Sequence, residues 1–309
     1  MTTLLYSHKA CEGHDPGRMH PESPARLRAI LEALDDEAFA DLERREAPKA
    51  TLDQIARVHP RDIVDQILRA IPDSDYVGLD ADTIVSPGSG EAALRAAGAV
   101  CAAVDAVMAG EAKNAFCAVR PPGHHAEPAR PMGFCLFNNV AVGAEQARAV
   151  HGLERVAVMD FDVHHGNGTQ AMFWDDPNLL YASTHQMPLY PGTGSAGERG
   201  ASGNIINAPL APMSGSEAFR AAMTATVLPA IAAFKPEFLL ISAGFDAHED
   251  DPLANLRFRT DDYVWATREL AGLAESACQG RLVSTLEGGY NLQALAASCA
   301  GHVRALMAA

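Results

Sequence analysis

The stretch VAVMDFDVHHGNGTQ, residues 156–170, decides how this chain is read. Val156–Met159 is the apolar run of a buried strand, and Asp160, Asp162, His164 and His165 come directly after it. Ionisable groups at the end of a buried strand cost free energy unless they are paired or bind a ligand. Asp162 and His164 stand two apart, and in an extended segment such residues point to the same side. One strand end can therefore supply two metal ligands.

Working outward, short apolar runs recur at 4–8, 115–120, 179–184, 238–245 and 282–287. Alanine-rich helical patterns lie between them at 24–34, 91–110, 138–150, 216–234 and 260–278. Near-continuous apolar strands alternating with helices predict an α/β fold: a single domain over residues 1–309 with a mainly parallel central sheet flanked by helices on both faces. The segments just past the strands are polar: PPGHH (121–125), DFDVHHGNG (160–168), STH (183–185), SAGFDAH (242–248) and EGGY (287–290). Open α/β sheets bind ligands beyond the carboxyl ends of their strands, so these segments are expected to meet at one rim. Asp246 adds a second carboxylate to Asp162 and His164. Two carboxylates and one imidazole with a position left open describe a catalytic zinc site, and oxygen and nitrogen donors also suit Fe2+ or Mn2+.

Composition narrows the partners. The chain has 309 residues, 48% hydrophobic, with 24 Lys plus Arg against 39 Asp plus Glu, a net charge of −15. Such a surface repels phosphate backbones and argues against nucleic acid, while it favours a cationic substrate such as a polyamine or a basic peptide. The six cysteines show no CxxC pair and no regular spacing, which predicts free thiols rather than a disulfide framework or a zinc–cysteine site. No signal-peptide pattern opens the sequence and no long uninterrupted apolar window is seen, so no membrane partner and a cytoplasmic location are expected.

The ordered set of GHH, DxDxHHGNG, GFDAH and GGY resembles the zinc-dependent histone deacetylase family of the arginase–deacetylase fold. RPPGHHAEPARPMGFCLFNN and DFDVHHGNGTQ are closest to its class II and bacterial amidohydrolase branch. The resemblance runs from HPESPARL near residue 20 to EGGYN at 287–291. It implies a hydrolase removing acetyl or short acyl groups from acylated primary amines, with Zn2+ on Asp162, His164 and Asp246. It makes His125 the general base and then acid, and His124 an electrostatic partner held by Asp160. Asn167 stands behind His125 where class I members carry Asp, and a neutral partner should leave His125 less basic. Tyr290 would donate to the developing oxyanion, with Gly288 and Gly289 permitting the turn that brings it in.

The same resemblance gives Gly133, Phe134 and Tyr190 as walls of a narrow acyl-amine channel and Leu253 at its mouth, where polyamine-selective relatives can carry Glu. It places Arg26 beside an internal acetate route, with an exposed helix arginine as the plain alternative. A structural K+ would sit on Asp160, Asp162, His164, Ser183 and Thr184. His165 is expected in the shell around the metal or as a satisfied core histidine. Asp82 and Thr83 fall near a rim position that can grip a substrate amide, or form a solvated turn. An acetylated amine substrate leaves acetyl-lysine peptides, acetylpolyamines and small metabolites open, and a homo-oligomer open as well. Two other readings remain at this point: an arginase-like two-manganese ureohydrolase, disfavoured by His248 where a second Asp belongs, and a non-catalytic acyl-amine binder.

Overall fold

A computed structural model describes residues 2–309. The strands are β1 (Thr3–Ser7), β2 (Glu43–Glu46), β3 (Val77–Gly78), β4 (Ile84–Val85), β5 (Asn114–Cys117), β6 (Val156–Asp160), β7 (Leu179–Gln186), β8 (Ile205–Leu210), β9 (Phe238–Ala243) and β10 (Leu282–Leu286). Eight of them form one sheet in the order β2-β1-β5-β10-β9-β6-β7-β8, while β3 and β4 make a small antiparallel hairpin outside it. Every pairing in the large sheet is parallel. All its carboxyl ends therefore open on one rim, and β5, β10, β9, β6 and β7 stand side by side there.

The central strands carry no exposed residue because helices cover both sheet faces. Helices Ser89–Met108 and Asn139–His151 pack on each other and on the sheet, and helices Thr260–Cys278 and Leu292–Met307 form a second packed pair. The segment 216–234 is one continuous helical rod with a π-turn at Met223–Val227. By length and a mean hydropathy of 1.2 this rod is long and apolar enough to cross a membrane, but Glu217 and Arg220 interrupt it, so the uninterrupted apolar window looked for in the sequence is still absent. Its buried Phe219, Met223, Val227 and Ile231 join the sheet's core.

The strand ends depart from the apolar runs: β9 stops at Ala243, short of the run to 245, while β6 continues one residue past Met159 and stops at Asp160. The backbone N–H of Asp162 donates to Asp160 Oδ1 at 3.1 Å, and that of His164 to Asp162 Oδ1 at 2.9 Å. Aspartates that capture the backbone two residues on turn the chain away from the ladder. Asp162 and His164 thus meet through successive turns, not through the strand alternation expected from their spacing.

Candidate active site

Asp162, His164 and Asp246 are buried, and one donor atom from each lies within 4.8 Å of the others. His164 Nδ1 is 3.1 Å from Asp162 Oδ1 and 3.2 Å from Asp246 Oδ2. The Asp246 oxygen, although so close, has no hydrogen-bond partner in a place where water does not reach it. Its sister Oδ1 accepts from Val163 N at 2.8 Å, and Asp162 Oδ2 accepts from Gly288 N at 2.8 Å. The carboxylates are held in place by main chain while one oxygen remains orphaned. Around them the wall is made of glycine: a Cβ on Gly244 would lie 2.0 Å from Asp162 Oδ2, and one on Gly288 would lie 2.0 Å from Asp246 Oδ2. Two aspartates at this distance repel, and burial together with Asp162 raises the Asp246 carboxyl. Burial opposes charge on His164, but the neighbouring Asp162 and Asp246 carboxylates outweigh it and lift the ring to about 10. A divalent cation relieves all of this at once, so the donor set fits a metal of the zinc class.

His124 and His125 stand beside this cluster with ring centroids 4.0 Å apart. His124 Nδ1 donates to Asp160 Oδ2 at 2.9 Å, and the Tyr181 hydroxyl donates to the same oxygen at 3.0 Å. Burial disfavours a charged His124, yet Asp160 and Asp162 prevail and raise it to about 10. His125 goes the other way: burial, then the neighbouring His124 and His164, holds it well below the usual histidine range. The pair splits into one ring that keeps a proton and one that stays free to take one. His125 Nδ1 bonds Asn167 Oδ1 at 2.8 Å, and the Asn167 amide continues outward to Glu127 Oε1 at 2.8 Å. Both histidines are delivered by the loop after β5, whose Gly123 and His124 N–H groups donate to buried Glu287.

Tyr290 comes just after β10. Asp251 Oδ2 accepts from the backbone N–H of Tyr290 at 2.7 Å and Asn291 at 3.3 Å, while its Oδ1 accepts from Leu253 N at 3.0 Å. Arg26 is fully buried, against the exposed-helix alternative. It donates to the carbonyls of Gly289 at 2.6 Å and Glu287 at 2.5 Å, and its guanidinium lies 4.9 Å from the Tyr290 ring centre. Arg26 and Arg120 both pair with buried Glu22, which also lies 3.3 Å from His14 Nε2. The arginine near the site is therefore a staple on the tyrosine loop.

Phe134 meets Tyr290 edge-on at 6.0 Å and His20 at 4.6 Å, and Tyr190 meets His125 at 5.1 Å. Gly133 takes φ +57°, and Phe134 takes φ +69°. Their turn is fixed because Gly133 N donates to Asp82 Oδ1 and Phe134 N to Thr83 Oγ1. Asp82 and Thr83 thus do not form a bare solvated turn; they hold the Gly133–Phe134 turn. Leu253 is partly exposed on the same loop as Asp251. His165 is bonded to Thr193 Oγ1 at 2.8 Å and Gln170 Oε1 at 3.0 Å, and burial and then His185 push it down to about 3. It is a neutral ring of the surrounding shell. Ser183 sits opposite Asp160 in the β6–β7 register but bonds His185 at 2.9 Å, and Thr184 Oγ1 is buried without a partner. Glu22, Glu127, Asp251, Glu287 and Tyr181 were not legible as site residues, since each acts on a partner distant in sequence.

Comparison with known proteins agrees with this geometry. The histone deacetylase domain matches residues 20–306. The chain is 41% identical over 98% of its length to histone deacetylase 14, chloroplastic, of Arabidopsis thaliana, covering 76% of that protein. It is 43% identical over 88% of its length to a histone deacetylase-like amidohydrolase of Pseudomonas aeruginosa, covering 73% of it. The crystal structure of the HDA15 HD domain superposes with a TM-score of 0.94 at 35% identity, over 99% of this chain and 88% of that one. The rim of polar strand ends, the buried Asp–His–Asp cluster and these likenesses lead to one conclusion: the chain belongs to the histone deacetylase family.

Proposed function

We propose that this protein is a zinc-dependent deacylase that hydrolyses the amide of an acylated primary amine, acetyl-lysine being the simplest substrate of that class. The observation that carries the reading is the orphaned Asp246 oxygen beside Asp162 and His164, within reach of two histidines of opposite proton affinity. Zn2+ held by Asp162, His164 and Asp246 supplies Lewis acidity toward the acyl carbonyl and lowers the pKa of a water. His125, with Nδ1 committed to Asn167, accepts the water's proton at Nε2 and later returns it to the leaving amine. His124 keeps its proton against Asp160 and offsets the negative charge that develops. Tyr290, a phenol whose pKa burial raises well above its usual value, stays protonated and donates a hydrogen bond to the oxyanion. Phe134 and Tyr190 give two aromatic walls for a methylene stem. A K+ on Asp160, Asp162, His164, Ser183 and Thr184 is part of the proposal, supported by the facing of Asp160 and Ser183 and the unpartnered Thr184 hydroxyl.

Two alternatives fare worse. Among the described residues only one cluster offers a metal-ligand set, and Asp160 is already engaged by His124, Tyr181 and Asp162 N, which argues against a two-manganese ureohydrolase. A non-catalytic binder has no need of the split histidine pair. The test is acetate release by the zinc-loaded protein from an acetyl-lysine peptide and from acetylated polyamines, side by side. Peptide turnover supports a lysine deacylase; selective polyamine turnover moves the substrate but keeps the chemistry; zinc-loaded protein silent on both refutes the reading.

A further inference from the structure

We infer that Glu127 is a positioning residue that fixes the tautomer of His125 through the side-chain amide of Asn167. The inference rests on the deacylase reading for the task of His125, and on geometry alone for the tautomer.

An asparagine amide presents two ends of almost equal shape and opposite hydrogen-bonding sense. His125 cannot choose between them, because its Nδ1 can donate to an oxygen or accept from an NH2. The choice is made on the far side. There Asn167 Nδ2 donates to Glu127 Oε1 at 2.8 Å and to Met132 Sδ at 3.4 Å. A carboxylate can only accept and a thioether accepts weakly, so both turn the NH2 outward. Rotated by half a turn, the amide would set its oxygen against a carboxylate and a sulfur with no hydrogen between them. Oδ1 is therefore driven toward His125, Nδ1 must carry the proton, and Nε2 is left with its lone pair. A neutral asparagine thus passes a carboxylate's requirement one residue inward. Nothing competes for the Glu127 side chain: among the described residues Asn167 is its one donor, and no Lys, Arg or His lies within ion-pair distance. The Glu127–Arg130 backbone bonds hold the turn that carries it.

The experiment is 15N NMR of the zinc-loaded protein labelled at the histidine ring nitrogens, with turnover of an acetylated amine measured on the same samples. The wild type should show His125 protonated at Nδ1 and bare at Nε2. Glu127→Lys offers only donors, so it should flip the Asn167 amide and move the His125 proton to Nε2. Turnover should then fall by about 100-fold or more in kcat with KM changed less than about threefold, because loss of a general base costs about 10²–10⁴ in rate. Adding Asn167→Asp to that variant restores an acceptor on both sides and should return the original tautomer and most of kcat. Should the lysine disturb the fold, shown by a lowered melting temperature, the near-isosteric Glu127→Gln carries the test, since its amide accepts either orientation and should mix the tautomers. An unchanged His125 tautomer in these variants, or a double variant no better than Glu127→Lys, overturns the inference. A tautomer that inverts in a protein that hydrolyses no acyl amine leaves the inference standing and removes the deacylase reading instead.

Discussion

Gly288→Ala isolates what the glycine wall contributes to the metal site. A Cβ at this position lies 2.0 Å from Asp246 Oδ2, 2.6 Å from Asp162 Oδ2 and 2.8 Å from Asp246 Cγ. Reaching an ordinary contact of 3.4 Å requires the Asp246 oxygen to retreat by about 1.4 Å (3.4 less 2.0). Metal ligands tolerate only about 0.2 Å of displacement before the coordination distances fail. Asp246 cannot easily yield, because Val163 N holds its Oδ1, and Asp162 is held by Gly288 N itself. The added methyl therefore lands on the two carboxylates. We expect zinc affinity, measured by competition with a chromophoric chelator, to fall by about 10- to 100-fold or more, the scale seen when support of a ligand is lost. A misplacement of about 1 Å also costs about 100-fold in turnover even when metal is forced in. A variant that binds zinc with the parent's affinity and turns over acetylated amine at the parent's rate would refute the assignment of these carboxylates.

Glu22→Ala leaves Arg26 and Arg120 buried without their shared carboxylate, and breaking a buried pair costs about 3–5 kcal/mol. With about 2.1 cal/mol/K per residue of unfolding entropy, that is a melting temperature lower by about 5–8 °C, read by circular dichroism. Burial opposes the Glu22 charge, but Arg120 and His14 hold its carboxyl well below the ordinary 4.5. A carboxyl with a depressed folded pKa stabilises fully above the unfolded value and loses that stabilisation as pH falls toward the folded one. The gap between parent and variant should accordingly be constant above pH of about 5 and narrow steadily below about 4.5; a gap that widens in acid contradicts the sign. Tyr290→Phe should keep full zinc binding and lose about 10²–10³ in kcat, the usual cost of one oxyanion donor, and retention of parental kcat removes Tyr290 from that role. Asp251→Ala, which frees the Tyr290 and Asn291 N–H groups, should lower kcat while zinc affinity stays within about threefold, since the metal ligands keep their own contacts; an unchanged kcat contradicts it.

The sequence carried the centre of this fold better than its margins. β5, β6, β9 and β10 are near-continuous apolar runs because both their faces are covered, and each run ends in the residues that build the site. β2 reads Glu-Arg-Arg-Glu, an edge strand exposed along most of its length, so no apolar signal marks it. β8 is the opposite edge and carries Pro209, which demotes a run to edge or loop by sequence alone. The helix Leu292–Met307 lies beyond the last helical pattern read from the sequence, and the structure shows Asn291 capping it by accepting from Gln293 and Ala294 N–H. The metal ligands were legible as residues, but the turn that joins Asp162 to His164 was not, since the same DxH spacing serves an extended strand equally well. Glu22 finds Arg120 and Glu127 finds Asn167 only after folding, and a lone glutamate in a loop carries no sign of such a partner.

The account stands most directly on a zinc titration. Protein stripped of metal is titrated with Zn2+ while acetate release from an acetylated amine substrate is monitored. Activity should rise in proportion and saturate at one zinc per chain, with Asp246→Ala giving no response at stoichiometric metal. Saturation at two metals per chain, or acetate release indifferent to zinc and to Asp246→Ala, would contradict the single Asp162–His164–Asp246 centre on which the mechanism rests.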